Sequence, residues 1–345
     1  MNFLIGSKEE FNDFVGGIKP EDRVGILTHT DLDGITSAIF LEKILESKKI
    51  KIEHLQFLSY KNNMFRDISE TLLKKRITKV FITDLAADLN DINDFEYFRA
   101  RNDCFLIDHH LIAPDLKNKR NIIKTRVSDC VSLIMYELGK DYFDVGSWDW
   151  LICASAFSDF AYKNCPENLK FIQERYPDIT LENIRESEVK KIDDMISSAI
   201  VYSKGNLKLV YDLVKEKNFS VLNKMGEEVQ KETKKSIERY EKEAEYYPDK
   251  GLYFAYFTPK YSVGSYVSTA MSIKDSDKVY VFARDGEKGM INISARNQSH
   301  RVDMNDLMKK GINGLKGASG GGHVPAAAAL IKKQDLETFK KNILG

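Results

Sequence analysis

The chain lacks several features that would settle its class at once. Its four cysteines, at positions 104, 130, 153 and 165, lie too far apart for a tight thiolate metal pair. Their scarcity fits reduced thiols in a cytosolic compartment. No apolar run approaches the roughly 18 residues of a membrane span. The start, Met1-Asn2-Phe3-Leu4-Ile5-Gly6-Ser7-Lys8-Glu9-Glu10, turns acidic too early for a secretory signal, so the expectation is a cytoplasmic protein without a membrane partner. Internal repeats and low-complexity stretches are missing too. A net charge is also missing: 52 Lys+Arg balance 52 Asp+Glu, which disfavours a protein that simply coats nucleic acid.

What is present is enough apolar matter for a sizeable core, 43% of 345 residues, a length that suggests two domains or one with an appendage. The charge balance hides a division. Residues 1–165 carry four surplus negatives and 166–247 two, whereas 248–345 carry six surplus positives. Through residues 23–165, short β-type runs alternate with helical patterns. Arg23–Thr28, Lys51–Phe57, Lys79–Thr83 and Cys104–Ile107 read as strands, and Ile35–Lys48 as a helix. That alternation predicts an α/β fold with a parallel sheet covered on both faces. From about 166 helical patterns take over, and the charge-alternating Gly226–Tyr247 reads as an exposed connecting helix. Pro248-Asp249-Lys250-Gly251 breaks it. Leu252–Phe257, Val279–Arg284 and Met290–Ala295 then read as strands of a smaller α+β unit. The expected domains are therefore 1–165, a helical extension 166–247, and 248–345.

Three of the apolar runs end in metal-capable residues: His29-Thr30-Asp31-Leu32-Asp33-Gly34, Asp84, and Asp108-His109-His110. Ligands of an open parallel sheet bind beyond the carboxyl ends of its strands, where these residues would lie. In an extended segment His29, Asp31 and Asp33 share one side, and Gly34 permits a tight turn. Asp159, after the apolar run Trp150–Ser158, is a fourth acidic candidate, with Asp149 its competitor. Singly, each residue has a plain explanation; an Asp after a strand, Asp84 included, is usually a helix cap. Jointly they do not, because three of the six histidines fall at these strand ends. Histidine with several carboxylates and no thiolate favours Mn²⁺, with Mg²⁺ or Co²⁺ as substitutes. Four aspartates and two histidines exceed the needs of one ion, and two ions sharing a carboxylate suit in-line displacement at phosphorus.

In order and spacing these motifs resemble those of the DHH phosphoesterase superfamily. Gly320-Gly321-Gly322-His323, followed by Pro325-Ala326-Ala327-Ala328-Ala329, resembles the signature of the DHHA1 domain. On its own that glycine run would read as a flexible turn before an Ala-rich helix. The resemblance implies that His29, Asp31 and a bridging Asp84 hold one Mn²⁺, and Asp33, Asp84, His109 and Asp159 the second. It implies that Asp108 orients the neighbouring histidines and that His110 contacts the scissile phosphate. It further implies that Arg296, in Ile293-Ser294-Ala295-Arg296, binds substrate together with Gly320, Gly321, Gly322 and His323. The activity implied is that of a manganese-dependent phosphodiesterase of the RecJ-like and NrnA-like branch, cleaving oligonucleotides to 5′-mononucleotides. Short oligonucleotides or dinucleotides are the favoured substrates, since zero net charge limits a long phosphate track. A 5′→3′ exonuclease on single-stranded DNA or RNA, and an inactive replication scaffold, are the alternatives. A homodimer and a partner from a replication complex are both compatible with the resemblance. The aromatic residues around Tyr253–Tyr266 read as core, with a base-stacking platform as the other reading.

Overall fold

The computed structural model describes residues 2–61, 63–116, 119–163 and 165–345. Two compact units divide the chain, Met1–Leu222 and Asn223–Gly345. The first is built on a five-stranded, wholly parallel sheet of β1 (Val24–His29), β2 (Ile52–Leu58), β3 (Lys79–Thr83), β4 (Asp103–Asp108) and β5 (Ile122–Lys124), in spatial order β2-β1-β3-β4-β5. The crossovers run through α2 (Leu32–Ser47), α3 (Met64–Lys74), and α4 (Ala87–Asn90) with α5 (Ile92–Arg99), while α1 (Lys8–Gly16) precedes the sheet. This is the α/β architecture expected from the alternating runs. The strands can be continuously apolar because both faces are covered.

The central helix is α2, whose residues from Leu32 to Leu41 are all buried. Asp31 caps it, its Oδ1 accepting from Gly34 N at 2.9 Å, so the segment that ends β1 also starts α2. Gly34 is required by close approach: a Cβ there would stand 2.4 Å from His29 O. Against α2 pack α6 (Val131–Gly139) and α7 (Asp149–Ser158), and α8 (Pro166–Gln173), α9 (Glu188–Tyr202) and α10 (Leu207–Lys215) complete the helical part. Edge strand β5 is closed on its open side by the N-terminal segment, where Lys124 O accepts from Leu4 N at 2.7 Å and Lys124 N donates to Ile5 O at 3.1 Å. Covering an edge in this way prevents its pairing with another chain.

The second unit carries a six-stranded mixed sheet in order β10-β11-β9-β8-β7-β6. Its strands are β6 (Glu245–Tyr247), β7 (Leu252–Tyr256), β8 (Val279–Asp285), β9 (Met290–Arg296), β10 (Ser319–His323) and β11 (Ala326–Lys332). The helices are α11 (Phe219–Glu243), which begins in the first unit, α12 (Gly264–Lys274), α13 (Met304–Gly311) and α14 (Leu336–Leu344). One face of the sheet packs Val281, Ile293, Ala295, Ala327 and Ile331 against Met304, Met308 and Phe339.

Two local expectations are corrected. The helix read as Gly226–Tyr247 starts at Phe219 and ends at Glu243, and Glu245–Tyr247 pair with β7 instead. Nor is it merely a spacer: Tyr240 is fully buried, its hydroxyl donating to the carbonyls of Tyr253 and Val281 at 3.0 Å each. The glycine run is not a turn and the alanines are not a helix. Gly320–Gly322 lie in edge strand β10, and Ala326–Ala329 lie in β11 between β10 and β9. Sheet pairing overrides alanine's helix propensity here, with Ala327, Ala329 and Ile331 buried on alternate positions.

Candidate metal centre

The carboxyl ends of β1, β3 and β4 converge with the end of α7, and they bring the sequence-selected donors together. His29, Asp31 and Asp84 form one group whose potential ligand atoms lie within 4.8 Å of one another; Asp33, His109 and Asp159 form a second, and Asp84, His109 and His110 a third. Asp84 joins the groups, with one carboxylate oxygen 3.7 Å from His29 Nδ1 and the other 3.6 Å from His109 Nε2. His109 Nε2 lies 3.5 Å from Asp159 Oδ2. Asp84 is no helix cap, since α4 is preceded by Ala86 and receives no side-chain capping bond. Its φ of 57° is left-handed, a conformation that costs energy in a non-glycine residue and clusters at functional sites.

Each aspartate is held differently. Asp33 is buried and already has three donors: Val131 N at 2.7 Å, Ser132 N at 2.8 Å and Ser155 Oγ at 2.8 Å. The first two are free amides of the first turn of α6. Asp31 binds His29 Nδ1 at 2.7 Å. Asp159 follows the last residue of α7 and its Oδ2 has no hydrogen-bond partner. The competitor Asp149 is ion-paired with Arg175 at 2.9 Å.

The crowding appears in the protonation of these groups. Burial, then the charges of Asp31 and Asp33, push Asp84 up to about 8. Burial and Asp33 likewise push Asp159 up to about 8. Burial works against a charged His29, but Asp31 and Asp84 outweigh it and raise the imidazole to about 10. His109 is also raised: burial opposes this, and Asp84 and Asp159 prevail. Protons thus occupy a place suited to a cation. Buried Asp84 Oδ2, His109 Nδ1 and Asp159 Oδ2 all lack a hydrogen-bond partner. Unpartnered carboxylate and imidazole atoms at this density fit hard or borderline divalent ions.

Sequence reading missed the support beneath Asp108. This fully buried carboxylate binds His110 Nδ1 at 2.7 Å and the Lys124 ammonium at 2.9 Å. Lys124, fully buried at the end of β5, also binds Asp88 Oδ1 at 2.6 Å and Leu111 O at 2.9 Å. Asp88 Oδ2 accepts from Ala113 N at 2.9 Å, which fixes the loop after His110. Burial would raise the Asp108 carboxyl, but His110 and Lys124 together bring it down to about 2. The available signal was a lysine closing the short apolar run Ile122-Ile123, in the place where neighbouring strands carry Asp or His.

In the second unit, Arg296 on β9 pairs with Ala326 on β11, which pairs with His323 on β10, so Arg296 and His323 share a sheet face two strands apart. Arg296 Nε donates to Thr269 Oγ1 at 3.2 Å and Nη1 to Ala295 O at 2.9 Å. Gly322 N donates to Asn305 Oδ1 at 3.2 Å. Its φ of 152°, with a Cβ 2.5 Å from Ala326 O, makes glycine a backbone requirement there. Gly320 and Gly321 pair in the same ladder with Ala329 and Ala328.

Two family models match the chain: the N-terminal domain of the DHH family over residues 23–162, and the DHHA1 domain over 251–344. The protein belongs to the DHH/DHHA1 family. The strand-end donors of this DHH domain and the Arg296–His323 face of this DHHA1 domain lie within the two matched regions. Solved structures share the fold. RecJ from Thermus thermophilus in complex with Mn²⁺ superposes with a TM-score of 0.71 at 12% identity, covering 98% of this chain and 54% of that one. The chain therefore spans about half the length of that RecJ. A DHH domain described as a member of the s1p family of ribosomal proteins gives 0.66 at 16% identity, covering 100% and 94%. CDC45 from Entamoeba histolytica gives 0.63 at 12%, covering 98% and 97%. No curated protein matches the chain. Among the described residues, no helix is long and apolar enough to cross a membrane.

Proposed function

We propose that this DHH/DHHA1 protein is a divalent-metal phosphodiesterase that cuts short oligonucleotides or dinucleotides to 5′-mononucleotides. The observation that carries the reading is the set of overlapping His/Asp groups with unpartnered, buried carboxylate oxygens at the strand ends. His29, Asp31 and Asp84 would hold one ion, and Asp33, Asp84, His109 and Asp159 the other. Two such ions, Mn²⁺ by donor chemistry with Mg²⁺ or Co²⁺ as substitutes, supply Lewis-acid charge for attack at phosphorus. The protein's own residues do the positioning. Asp108 engages His110 Nδ1, leaving Nε2 to meet a phosphate oxygen. On the second unit, the Arg296 and His323 side chains would bind phosphate.

Digestion of labelled oligonucleotides of increasing length, from dinucleotides upward and in both sugar types, with Mn²⁺ present, tests the reading. Rates that rise as length falls support it. Length-independent product ladders would replace it with a 5′→3′ single-strand exonuclease, the reading favoured by the likeness to RecJ. Failure to cleave any substrate with any divalent ion would replace it with a scaffold, for which the likeness to CDC45 speaks. In that case a replication-complex partner becomes the object of search.

A further inference from the structure

Two exposed aromatic rings stand where metal binding alone has no use for them. Phe160 directly follows Asp159 and is 56% exposed. Its φ of 56° lies in the left-handed region that bulky residues avoid. The helix end explains the conformation: Phe160 N donates to Phe157 O at 3.0 Å and Ala161 N to Ala156 O at 2.9 Å. This is the closure of α7 in which glycine normally takes the left-handed place. Glycine would relieve the strain and remove the exposed apolar surface together. The Phe160 ring has its neighbour in Tyr162, 6.5 Å away at 29°, and Tyr162 lies parallel to Phe157 at 5.3 Å. Phe157 and Tyr162 are buried, so Phe160 is the exposed ring of this aromatic group.

Tyr60 is its counterpart. It is 41% exposed, its ring centre lies 5.5 Å from that of His29, and its hydroxyl accepts from Ala86 N at 3.0 Å. Between the two rings runs an unbroken line of donors: His29 to Asp84 at 3.7 Å, Asp84 to His109 at 3.6 Å, His109 to Asp159 at 3.5 Å. The Tyr60 ring stands beside one end of the line, and Phe160 is next in sequence to Asp159 at the other. Single exposed apolar residues are ordinary. A strained aromatic next in sequence to a ligand candidate, matched by a second ring at the opposite end, is not.

Phosphate and pyrophosphate offer nothing for an aromatic face to hold, whereas a nucleobase does. We infer that Phe160 and Tyr60 are the base-binding residues on the two sides of the scissile phosphate. The site is then shaped for a nucleotide unit with a base at each end. This inference rests on the phosphodiesterase reading and narrows its substrate class.

The test measures binding and stability apart from turnover. The probes are a 5′-phosphorylated dinucleotide containing 2-aminopurine and its base-free analogue, both with Ca²⁺ present. Phe160→Gly should raise the melting temperature and weaken binding of the dinucleotide about tenfold or more, the range of base–aromatic stacking. Affinity for the base-free analogue and for Mn²⁺ alone should not change. Phe160→Trp should keep dinucleotide binding, and Tyr60→Phe, which retains the ring, should bind better than Tyr60→Ala. Equal dinucleotide affinity in wild type and Phe160→Gly would overturn the inference. So would an equal loss for the base-free analogue. Ring-dependent dinucleotide binding without hydrolysis would leave the base site standing and sink the phosphodiesterase reading. Hydrolysis indifferent to both rings would do the reverse.

Discussion

Replacing Lys124 by methionine removes one ammonium and little volume, and the cost follows from what it leaves behind. Asp88 and Asp108 have fully buried side chains and share this cation, at 2.6 and 2.9 Å. After Lys124→Met, Asp88 keeps Ala113 N and Asp108 keeps His110, but neither charge has a fixed positive partner. Removing one member of a buried pair typically costs about 3–5 kcal/mol. For a unit of this size each kcal/mol moves the melting temperature by roughly 2–4 °C, so the expected drop is roughly 6–20 °C. The pH dependence has a definite sign. In the wild type Asp108 titrates near 2, below its unfolded value of about 3.9. Its contribution is therefore present above the unfolded value and lost as pH falls toward 2. Without Lys124 the folded carboxyl moves up, and protonation at pH 5 relieves part of the penalty. Urea unfolding of the metal-free protein at pH 5 and pH 8 should show a smaller wild-type-to-variant gap in acid. Adding Asp88→Asn to Lys124→Met should recover part of the loss. A loss below about 1 kcal/mol, the scale of an exposed pair, would refute the reasoning, as would a gap that widens in acid.

Other perturbations bear on the strand ends. Because Asp84 and Asp159 sit near 8 and His29 near 10 without metal, Mn²⁺ binding at pH 7 should release protons and tighten as pH rises; calorimetry in buffers of different ionisation enthalpy measures the release. For Asp84, a folded value above the unfolded one means that metal-free stability is lost as pH rises toward 8. Asp84→Asn, which tolerates the left-handed φ, should flatten that decline, fold normally and abolish activity at any Mn²⁺ concentration. Gly34→Ala, whose Cβ would meet His29 O at 2.4 Å, should cost about 1–3 kcal/mol and weaken Mn²⁺ binding, read by thermal melting and by titration.

The parallel sheet was legible because β1, β3 and β4 are short apolar runs that each end in donor residues, so periodicity and chemistry pointed to the same strand ends. Asp159 was harder to separate from Asp149, since they stand at the two ends of one apolar helix; the ion pair of Asp149 with Arg175 and the approach of Asp159 to His109 distinguish them, and both partners lie outside any local pattern. Lys124 gave only a weak signal for a related reason. A buried lysine is defined by its partners, and Asp88 and Asp108 reach it from distant points of the chain. The alanine run after His323 misled because its intrinsic preference is helical, whereas β9 and β10 decide its conformation from either side. Tyr240 was hidden in a charged pattern, although its hydroxyl crosses to two strands.

The way β5 is closed also joins distant parts of the chain. The backbone of Lys124 meets Leu4 and Ile5, 120 and 119 positions before it in the chain. Asp33 finds its donors 98, 99 and 122 positions later, at Val131, Ser132 and Ser155. Loop closures of that span are slow steps in folding. β1 and β2 are neighbours in the chain as well as in the sheet, whereas the wall around Asp33 is supplied by α6 and α7. Contacts of this sequence separation are expected to form late, so the centre should be completed after the local pairing of β1 with β2.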